Sequence, residues 1–348
     1  MMVSHCRIFR LGFVVALALA AAGAVGAEDP LAPYPSPAMR AAEVSKLHEA
    51  HAERVEVLEY GRSGEGEPLV AMRVHRPGPE KKPAAWFGAC IHGNEWIGNR
   101  VVMAIAVTLL GDDGRDPLVT RAMEEMDFFI APCLNPDGYR RTWDDPHEPG
   151  EDAAGARRKN TDGVDLNRNW PIPGEVTIPI DWAGSPDPDS IRYRGPSPLS
   201  EPETAALDRF FREHDNIVAG ISFHSTAGVM FPPHCPSHAC VVRSKKMGRA
   251  FRSEQVDRPY PRLQSRWFDT YTGELEDWLY AEYGVLAMDV EVSTSGANQK
   301  ACHCKDPFWT FNPVNPDYWT TNDARAAIAA VVEANRVLDG RRLPPEER

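Results

Sequence analysis

Four short apolar runs, each long enough for one buried strand, constrain the fold of this chain more than any other feature. They cover residues 84–90, 127–133, 217–223 and 285–290. Continuous apolar runs of this length are typical of strands that other elements cover on both faces. Because helices are the usual cover for such strands, the runs predict an α/β sheet.

Helical patterns alternate with these runs. Residues 98–110 are apolar nearly all round, which predicts a buried helix. Residues 273–283 are amphipathic and stop at Gly284, a typical helix end. Further helices are predicted over 39–52, after a Ser200…Glu203 capping box, and over 322–338, with further strands over 55–60 and 69–74. The sequence therefore predicts one domain with a mixed, mainly parallel, twisted sheet of about eight strands flanked by helices on both faces.

The first 27 residues have a different character. Arg7 and Arg10 precede an apolar run over 11–25, and small residues follow at 24–27. This is the pattern of a cleaved secretory signal peptide. A membrane anchor is the alternative, but the run is shorter than the roughly 20 residues that a span needs. We expect a secreted or periplasmic protein without a membrane anchor.

The charge of the chain argues against nucleic acid as a partner. Cleavage after residue 27 removes two arginines and no acidic residue, which takes the net charge from −12 to −14. Nucleic-acid phosphates require clustered Lys and Arg.

Six cysteines remain once Cys6 leaves with the signal peptide: Cys90, Cys133, Cys235, Cys240, Cys302 and Cys304. An even number in an exported protein favours disulfides, although six cysteines allow 15 pairings. The alternative is a metal site that combines the pair at 235 and 240 with the pair at 302 and 304. Their spacing is not the usual zinc-finger pattern.

Ionisable residues stand where three of the apolar runs end. The first run continues into His92 and Glu95, the third ends on His224, and the fourth ends on Glu291. Burying such groups is costly unless they are paired or bind a metal. Two imidazoles and one carboxylate are the ligands of many catalytic zinc sites, so His92, Glu95 and His224 are predicted to bind zinc. Taken alone, His224 could equally be a hydrogen-bonded core histidine.

Glu291 and one polar loop are the other candidates. A carboxylate beside a zinc site can take a proton from the acidified water, whereas the alternative for Glu291 is a core carboxylate paired with an arginine. The loop carries Arg158, Asn167 and Arg168. Arginine can grip a carboxylate or stabilise an oxyanion. The alternative is a solvated basic surface loop.

In their order these motifs resemble the zinc carboxypeptidase A family. The matching segments are His92/Glu95, Asn135-Pro-Asp-Gly138, Arg158-Lys159, Asn167-Arg168-Asn169, His224-Ser225 and Glu291. The resemblance covers about residues 39–338. It implies a zinc carboxypeptidase catalytic domain over 39–338, preceded by a Pro-rich arm over 28–38 and followed by a polar tail over 339–348.

The resemblance also implies a role for each matching residue. His92, Glu95 and His224 would hold one Zn²⁺, Glu291 would act as general base, and Arg158 would polarise the scissile carbonyl. Asn167 and Arg168 match the pair that binds the terminal carboxylate of the substrate. The implied partner is therefore a peptide with a free C-terminus, and the implied enzyme is a zinc metallocarboxypeptidase.

Two positions bear on the choice of substrate. The family carries a tyrosine on a loop about eight residues before Asp277, where this chain has Asp269, so Tyr271 is the nearest candidate. Glu276 stands where the family lines its specificity pocket, and a carboxylate there favours a Lys, Arg or diaminopimelate terminal residue. The alternative is a Glu276 that points to solvent.

The sequence leaves one disulfide and two alternative functions open. If their strands are neighbours, as the family suggests, Cys90 and Cys133 could form a disulfide. One alternative function is a carboxypeptidase or amidase that acts on peptidoglycan stem peptides. The other is a non-catalytic zinc-binding domain.

Overall fold

A computed structural model describes residues 31–78, 81–145, 157–173, 184–263 and 273–348. The chain divides into two compact units, residues 1–32 and 33–348. The expected signal peptide over 1–27 lies outside the described residues. Every helix and strand below belongs to the second unit.

Seven strands form one mixed sheet in the described part of the chain: β1 (Val55–Arg62), β2 (Pro68–Val74), β3 (Ala84–Ala89), β4 (Asp127–Ala131), β5 (Ile217–His224), β6 (Val229–Phe231) and β7 (Leu286–Glu291). Their order is β1-β2-β4-β3-β5-β7-β6. The four central strands pair in parallel, and the outer pairs are antiparallel. The predicted mixed sheet with a parallel core is confirmed.

The four predicted apolar runs are these four central strands. Strands β3 and β4 end slightly earlier than predicted, while β5 and β7 reach one residue further. The extension arises because His224 and Glu291 pair as the last register position of the β5–β7 ladder. Both ionisable residues are thus held by backbone hydrogen bonds of the sheet.

Helices pack on both faces of the sheet. They are α1 (Pro37–Ala50), α2 (Ile97–Gly111), α3 (Pro117–Glu125), α4 (Pro136–Asp144), α5 (Pro202–Glu213), α6 (His238–Glu254), α7 (Leu275–Tyr283), α8 (Ser295–Cys302), α9 (Pro307–Phe311) and α10 (Pro316–Val337). On one face, Phe211 of α5 and Leu279 of α7 share a core with Trp86 of β3. Side chains alternate along a strand, and Gly98 of α2 packs against Ala89, on the opposite face from Trp86. Helix α10 packs on α2 and β5.

Several helix boundaries differ from the sequence prediction. The predicted capping box is wrong, because α5 begins at Pro202 with Glu201 as its N-cap, and the Ser200 hydroxyl instead donates to Glu201 Oε1. Helix α10 begins at Pro316, six residues before the predicted start, where the Asn315 side chain caps it. Helices α3, α4, α6, α8 and α9 were not predicted. Among the described residues, no helix is long and apolar enough to cross a bilayer.

The cysteines pair locally. Cys235 is bonded to Cys240 and Cys302 to Cys304, so these four thiols do not form a metal site. Cys90 and Cys133 lie beyond neighbouring strands, as expected, but both are free and buried. The expected bridge is therefore wrong. Cys90 Sγ donates to the Glu95 carbonyl oxygen 3.4 Å away.

Candidate metal centre and substrate site

Three buried side chains meet beyond the carboxyl ends of the central strands. His92 and Glu95 lie on the loop between β3 and α2, and His224 is the last residue of β5. Their ligand atoms lie within 4.8 Å of one another. The sheet order explains the meeting, because β3 and β5 are parallel neighbours whose ends face the same edge.

The donor set fits one zinc ion. His92 Nδ1 lies 2.9 Å from Glu95 Oε1, and His224 Nδ1 lies 3.2 Å from both His92 Nδ1 and Glu95 Oε2. Tetrahedral ligands about 2.0–2.1 Å from a zinc ion stand about 3.3 Å apart. Two imidazole nitrogens and one carboxylate at these separations would leave the fourth position to water.

The loop that carries His92 is fixed by a close backbone approach. Gly93 donates its N–H to the Arg158 carbonyl at 3.1 Å, and a Cβ at Gly93 would lie only 2.3 Å from the Gly138 carbonyl carbon. The Asn135 side chain caps α4 and donates to the Ile91 and Arg158 carbonyls. The Asn-Pro-Asp-Gly segment therefore holds the loop that carries His92 next to the loop that carries Arg158.

A second carboxylate stands behind His92. Asp165 Oδ1 lies 3.2 Å from His92 Nε2, and Asp165 Oδ2 accepts a 2.8 Å hydrogen bond from Arg158 Nε. Burial opposes ionisation of Asp165, but Arg158 and then Arg168 outweigh it and hold its pKa well below the usual range. Asp165 is thus ionised and accepts the Nε2 proton, which leaves Nδ1 of His92 for the metal.

Glu95 and Glu291 have opposite electrostatic environments. Burial would raise the pKa of Glu95, but His92 and His224 outweigh burial and lower it. Burial first, and the Glu95 carboxylate second, raise the pKa of Glu291 to about 7. A carboxyl group that titrates near neutral pH can both accept and return a proton. Glu291 is the partly exposed member of β7, open to a ligand at the strand end.

Asn167 and Arg168 lie in a buried 3₁₀ turn, Leu166–Arg168. Asn167 Nδ2 donates to Asp289 Oδ2 at 3.2 Å, and Arg168 Nη1 donates to Glu274 Oε1 at 3.0 Å. Both side chains are buried, which excludes the solvated surface loop as their environment. Arg158 reaches from the same polar region towards Glu95, with Nη1 3.5 Å from Oε1.

A buried acidic set lies next to this turn. Glu274, Glu276 and Asp289 bring one carboxylate oxygen each within 4.8 Å of the others. Glu276 is 1% exposed, so the alternative of a solvent-facing side chain is wrong. Asp277 follows on α7, and burial together with Glu274 raises its pKa to about 8. Asp277 is consequently neutral at pH 7, while its Oδ1 accepts a hydrogen bond from the His234 N–H.

One predicted site residue lies outside the described part of the chain, and three residues of the site were not predicted. The residue outside the described part is Tyr271. Three site carboxylates, Asp165, Asp289 and Glu274, received no role from the sequence. Asp289 carried a readable signal, since it is an acidic residue inside an otherwise apolar run. Asp165 and Glu274 stood in polar segments, where nothing distinguished them from surface acids.

Comparison with known sequences places the chain among peptidases. The family model described as zinc carboxypeptidase matches residues 41–312. Carboxypeptidase A6 of Mus musculus is 30% identical over 258 residues, which cover 72% of this chain and 58% of that protein. Mast cell carboxypeptidase A of Rattus norvegicus is 28% identical over 247 residues, which cover 68% of this chain and 58% of that protein. The chain therefore spans less than two thirds of the length of these relatives.

Comparison of folds agrees with this result. The structure of bovine thrombin-activatable fibrinolysis inhibitor in complex with tick carboxypeptidase inhibitor superposes with a TM-score of 0.67 at 24% identity. The match covers 88% of this chain and 98% of that chain. At this identity the likeness concerns the fold. The matched family model, which spans most of the chain and includes every described ligand candidate, establishes that the chain belongs to the zinc carboxypeptidase family.

Proposed function

We propose that this protein is an exported zinc metallocarboxypeptidase that hydrolyses the C-terminal bond of peptides and prefers a cationic terminal residue. One observation carries the proposal. The Asn167–Arg168 turn adjoins the His92, Glu95 and His224 triad on one side, through Asp165, and the buried acidic set on the other. A candidate metal site, the Asn167–Arg168 pair and a buried acidic set within one network suit a peptide end with a positively charged side chain.

A zinc ion bound by the three ligands would supply a Lewis acid that acidifies a water and polarises a carbonyl. Glu291 would take the proton of the attacking water and return it to the leaving amine. Arg158 would donate hydrogen bonds to the developing oxyanion, a role that suits a guanidinium already aimed at Glu95. The raised pKa of Glu291 supports its part, because both steps need a group that gains and loses a proton near neutral pH.

The proposed carboxylate clamp, Asn167 and Arg168, would restrict the enzyme to cleavage at the end of a peptide. Arg168 and Asn167 would bind the terminal carboxylate of the peptide, since a planar guanidinium forms two parallel hydrogen bonds to a carboxylate. A chain that continues past this point has no terminal carboxylate to offer, so its complex would lack the hydrogen bonds from Asn167 and Arg168. The Asn167–Arg168 pair would therefore favour release of single residues from the C-terminus.

The acidic set would choose the terminal side chain. Glu276 and Asp289 add negative charge to a site in which Glu274 already faces Arg168. A Lys, Arg or diaminopimelate side chain would bring the balancing cation into a buried site, where charge pairing is strong. An apolar terminal residue would bring no positive charge to this acidic set.

We further propose that the protein is exported from the cytoplasm. Residues 1–27 would act as a cleaved signal peptide, residues 28–38 as an arm, 39–338 as the catalytic domain and 339–348 as a tail. The two disulfides support export, because such bonds persist in oxidising compartments.

The test of the activity is the substitution Glu291→Gln in purified protein. We expect release of C-terminal residues from peptides by the wild type and a fall in kcat of about 10²–10⁴-fold in the variant. Zinc content, measured by elemental analysis, should stay at one ion per chain in both proteins. Unchanged turnover in Glu291→Gln would refute the mechanism, and zinc binding without turnover in the wild type would favour a non-catalytic domain.

The test of the preference compares peptides that end in Lys and in Phe. We expect a higher kcat/KM for Lys, and a smaller ratio in Glu276→Gln because one pocket charge is removed. A clear preference of the wild type for Phe would contradict the acidic-pocket argument. Purified muropeptides form a third arm, since a strong preference for them would assign the protein to peptidoglycan stem peptides.

A further inference from the structure

Asp289 is an acidic residue in the middle of a buried apolar strand. It pairs in register with Ser222 of β5, as Glu291 pairs with His224. Successive side chains alternate between the two faces of a sheet. Asp289 therefore lies on the same face as His224, at the register position two residues before it. The residue is 4% exposed. A carboxylate so placed costs free energy unless specific partners compensate for its lost hydration.

The first partner of Asp289 is His224. Asp289 Oδ2 lies 3.3 Å from His224 Nε2, and Ser222 Oγ lies 3.0 Å from the same nitrogen. The other ring nitrogen, Nδ1, faces Glu95 and His92 and is therefore the metal-facing atom. A neutral imidazole that offers Nδ1 to a metal carries its proton on Nε2, and this N–H needs an acceptor.

The second partner is Asn167. Its side-chain Nδ2 donates to Asp289 Oδ2 at 3.2 Å, and its backbone N–H donates to Asp165 Oδ1 at 3.1 Å. Asn167 thus lies between two carboxylates, one behind each candidate histidine ligand. The Asn167 Oδ1 atom accepts from the Leu275 N–H, which fixes the remaining direction of the amide.

We propose that Asp289 is a positioning residue that orients His224 for the metal and Asn167 for the terminal carboxylate at the same time. Asp289 and Asp165 act as a matched pair, each holding the Nε2 proton of one histidine, and Asn167 joins them. The substrate half of this inference rests on the proposed carboxypeptidase function. The metal half does not, because zinc affinity is measurable without any substrate.

The experiment measures zinc affinity by competition with a chromophoric chelator, together with KM and kcat for a peptide with a free C-terminus. In Asp289→Asn we expect zinc affinity to fall about 10–100-fold, the usual effect of losing such a hydrogen-bond partner. We also expect KM to rise, because Asn167 loses its carboxylate partner. The spectrum of the cobalt(II)-substituted protein should change as well, since the ring of His224 is no longer held in one orientation.

Glu276→Gln is the matched control, because it removes a buried carboxylate of the same acidic set without touching His224. Its zinc affinity should stay within about twofold of the wild type. Equal losses in Glu276→Gln and Asp289→Asn would overturn the proposal in favour of a general effect of charge. A zinc affinity of Asp289→Asn within twofold of the wild type would also overturn it, and a loss confined to Ser222→Ala would assign the role to Ser222.

Asn167→Ala keeps the proposal testable if Asp289→Asn does not fold. It touches no candidate metal ligand, yet the proposal predicts a measurable fall in zinc affinity because Asp289 loses the side-chain donor that fixes it beside His224. If Asn167 served the substrate alone, Asn167→Ala would raise KM and leave zinc affinity unchanged. That outcome would contradict the proposed link between Asn167 and the metal site. If no peptidase activity is found but zinc affinity changes as predicted, the proposed function fails and the positioning role stands.

Discussion

At the scale of single residues, the site consists of charges whose partners are already in place. Arg168 is buried against Glu274, and Arg158 is hydrogen-bonded to Asp165. Guanidinium groups held in this way lose little side-chain entropy when a ligand arrives, which is the advantage of a preorganised site. The same environment makes each of these residues intolerant of conservative exchange.

Arg168→Lys tests this intolerance. Lysine keeps the charge but loses the planar fork that grips a carboxylate at two points. For peptides with a free C-terminus we expect kcat/KM to fall about 10–100-fold, with most of the loss in KM. Steady-state kinetics with a peptide and its C-terminal amide measure the effect. The exposed Arg121→Lys is the control, and wild-type kinetics in Arg168→Lys would contradict the proposed clamp.

Removal of the metal is a second test at this scale. His92, Glu95 and His224 are buried with their ligand atoms facing one another, so the folded protein should bind zinc while the unfolded chain should not. Free zinc at 100 times its Kd would then stabilise the fold by about 2.7 kcal/mol. Chelation should lower Tm and abolish activity, and added Zn²⁺ should restore both. An unchanged Tm would contradict the metal centre.

At the scale of elements, helix ends position the site. The side chain of Asn312 accepts the N–H groups of Trp96 and Ile97 and so caps α2 directly after Glu95. Helix α7 ends at Gly284, which has a φ of 65° and packs against the backbone of Leu343. Both ends depend on residues that are far away in the sequence.

Gly284→Ala tests the end of α7. A Cβ there would lie 2.2 Å from the Leu343 carbonyl oxygen, and the left-handed conformation costs a residue with a side chain about 1–2 kcal/mol by itself. We expect a total loss of about 2–5 kcal/mol of unfolding free energy, measured by urea titration. Gly111→Ala is the matched control, because a Cβ there meets nothing within 4 Å. Equal stability of the two variants would contradict this account of the turn.

At the scale of the whole molecule, buried acids make stability depend on pH. Asp323 of α10 is fully buried and accepts hydrogen bonds from Tyr260, Gln255 and Asn322. Burial raises its pKa to about 7, whereas an aspartate in the unfolded chain titrates near 3.9. The folded state therefore binds more protons between these values. The associated stability is complete below about pH 4 and is lost as the pH rises through 7.

Asp323→Asn removes this titration. Relative to the wild type, the variant should gain on the order of 2–3 kcal/mol of unfolding free energy between pH 5 and pH 8. A fixed cost of altered hydrogen bonds cancels when the two pH values are compared. Urea titrations at both pH values measure the difference. Parallel changes in wild type and variant would show that Asp323 does not titrate as described.

Local patterns along the chain were enough to predict the parallel core of the sheet and the metal-ligand candidates. Apolar runs that end on His92, His224 and Glu291 can be read locally, because burial and strand alternation leave a pattern along the chain. The family motifs supplied Arg158 and Arg168 by resemblance. The resemblance also identified Glu276 as a candidate specificity residue from its place beside Asp277. It did not predict that Glu276 is buried.

Contacts between residues far apart in the sequence could not be predicted in this way. The order β3-β5-β7 places Asp289 beside His224. Cys90 and Cys133 are free thiols although they follow neighbouring strands. Neither follows from local patterns, since the partners are set by sheet order and side-chain direction. The capping of α2 by Asn312 has the same cause. Periodicity along a chain encodes which face is buried, whereas the partner of a buried polar atom depends on the three-dimensional packing of the whole molecule.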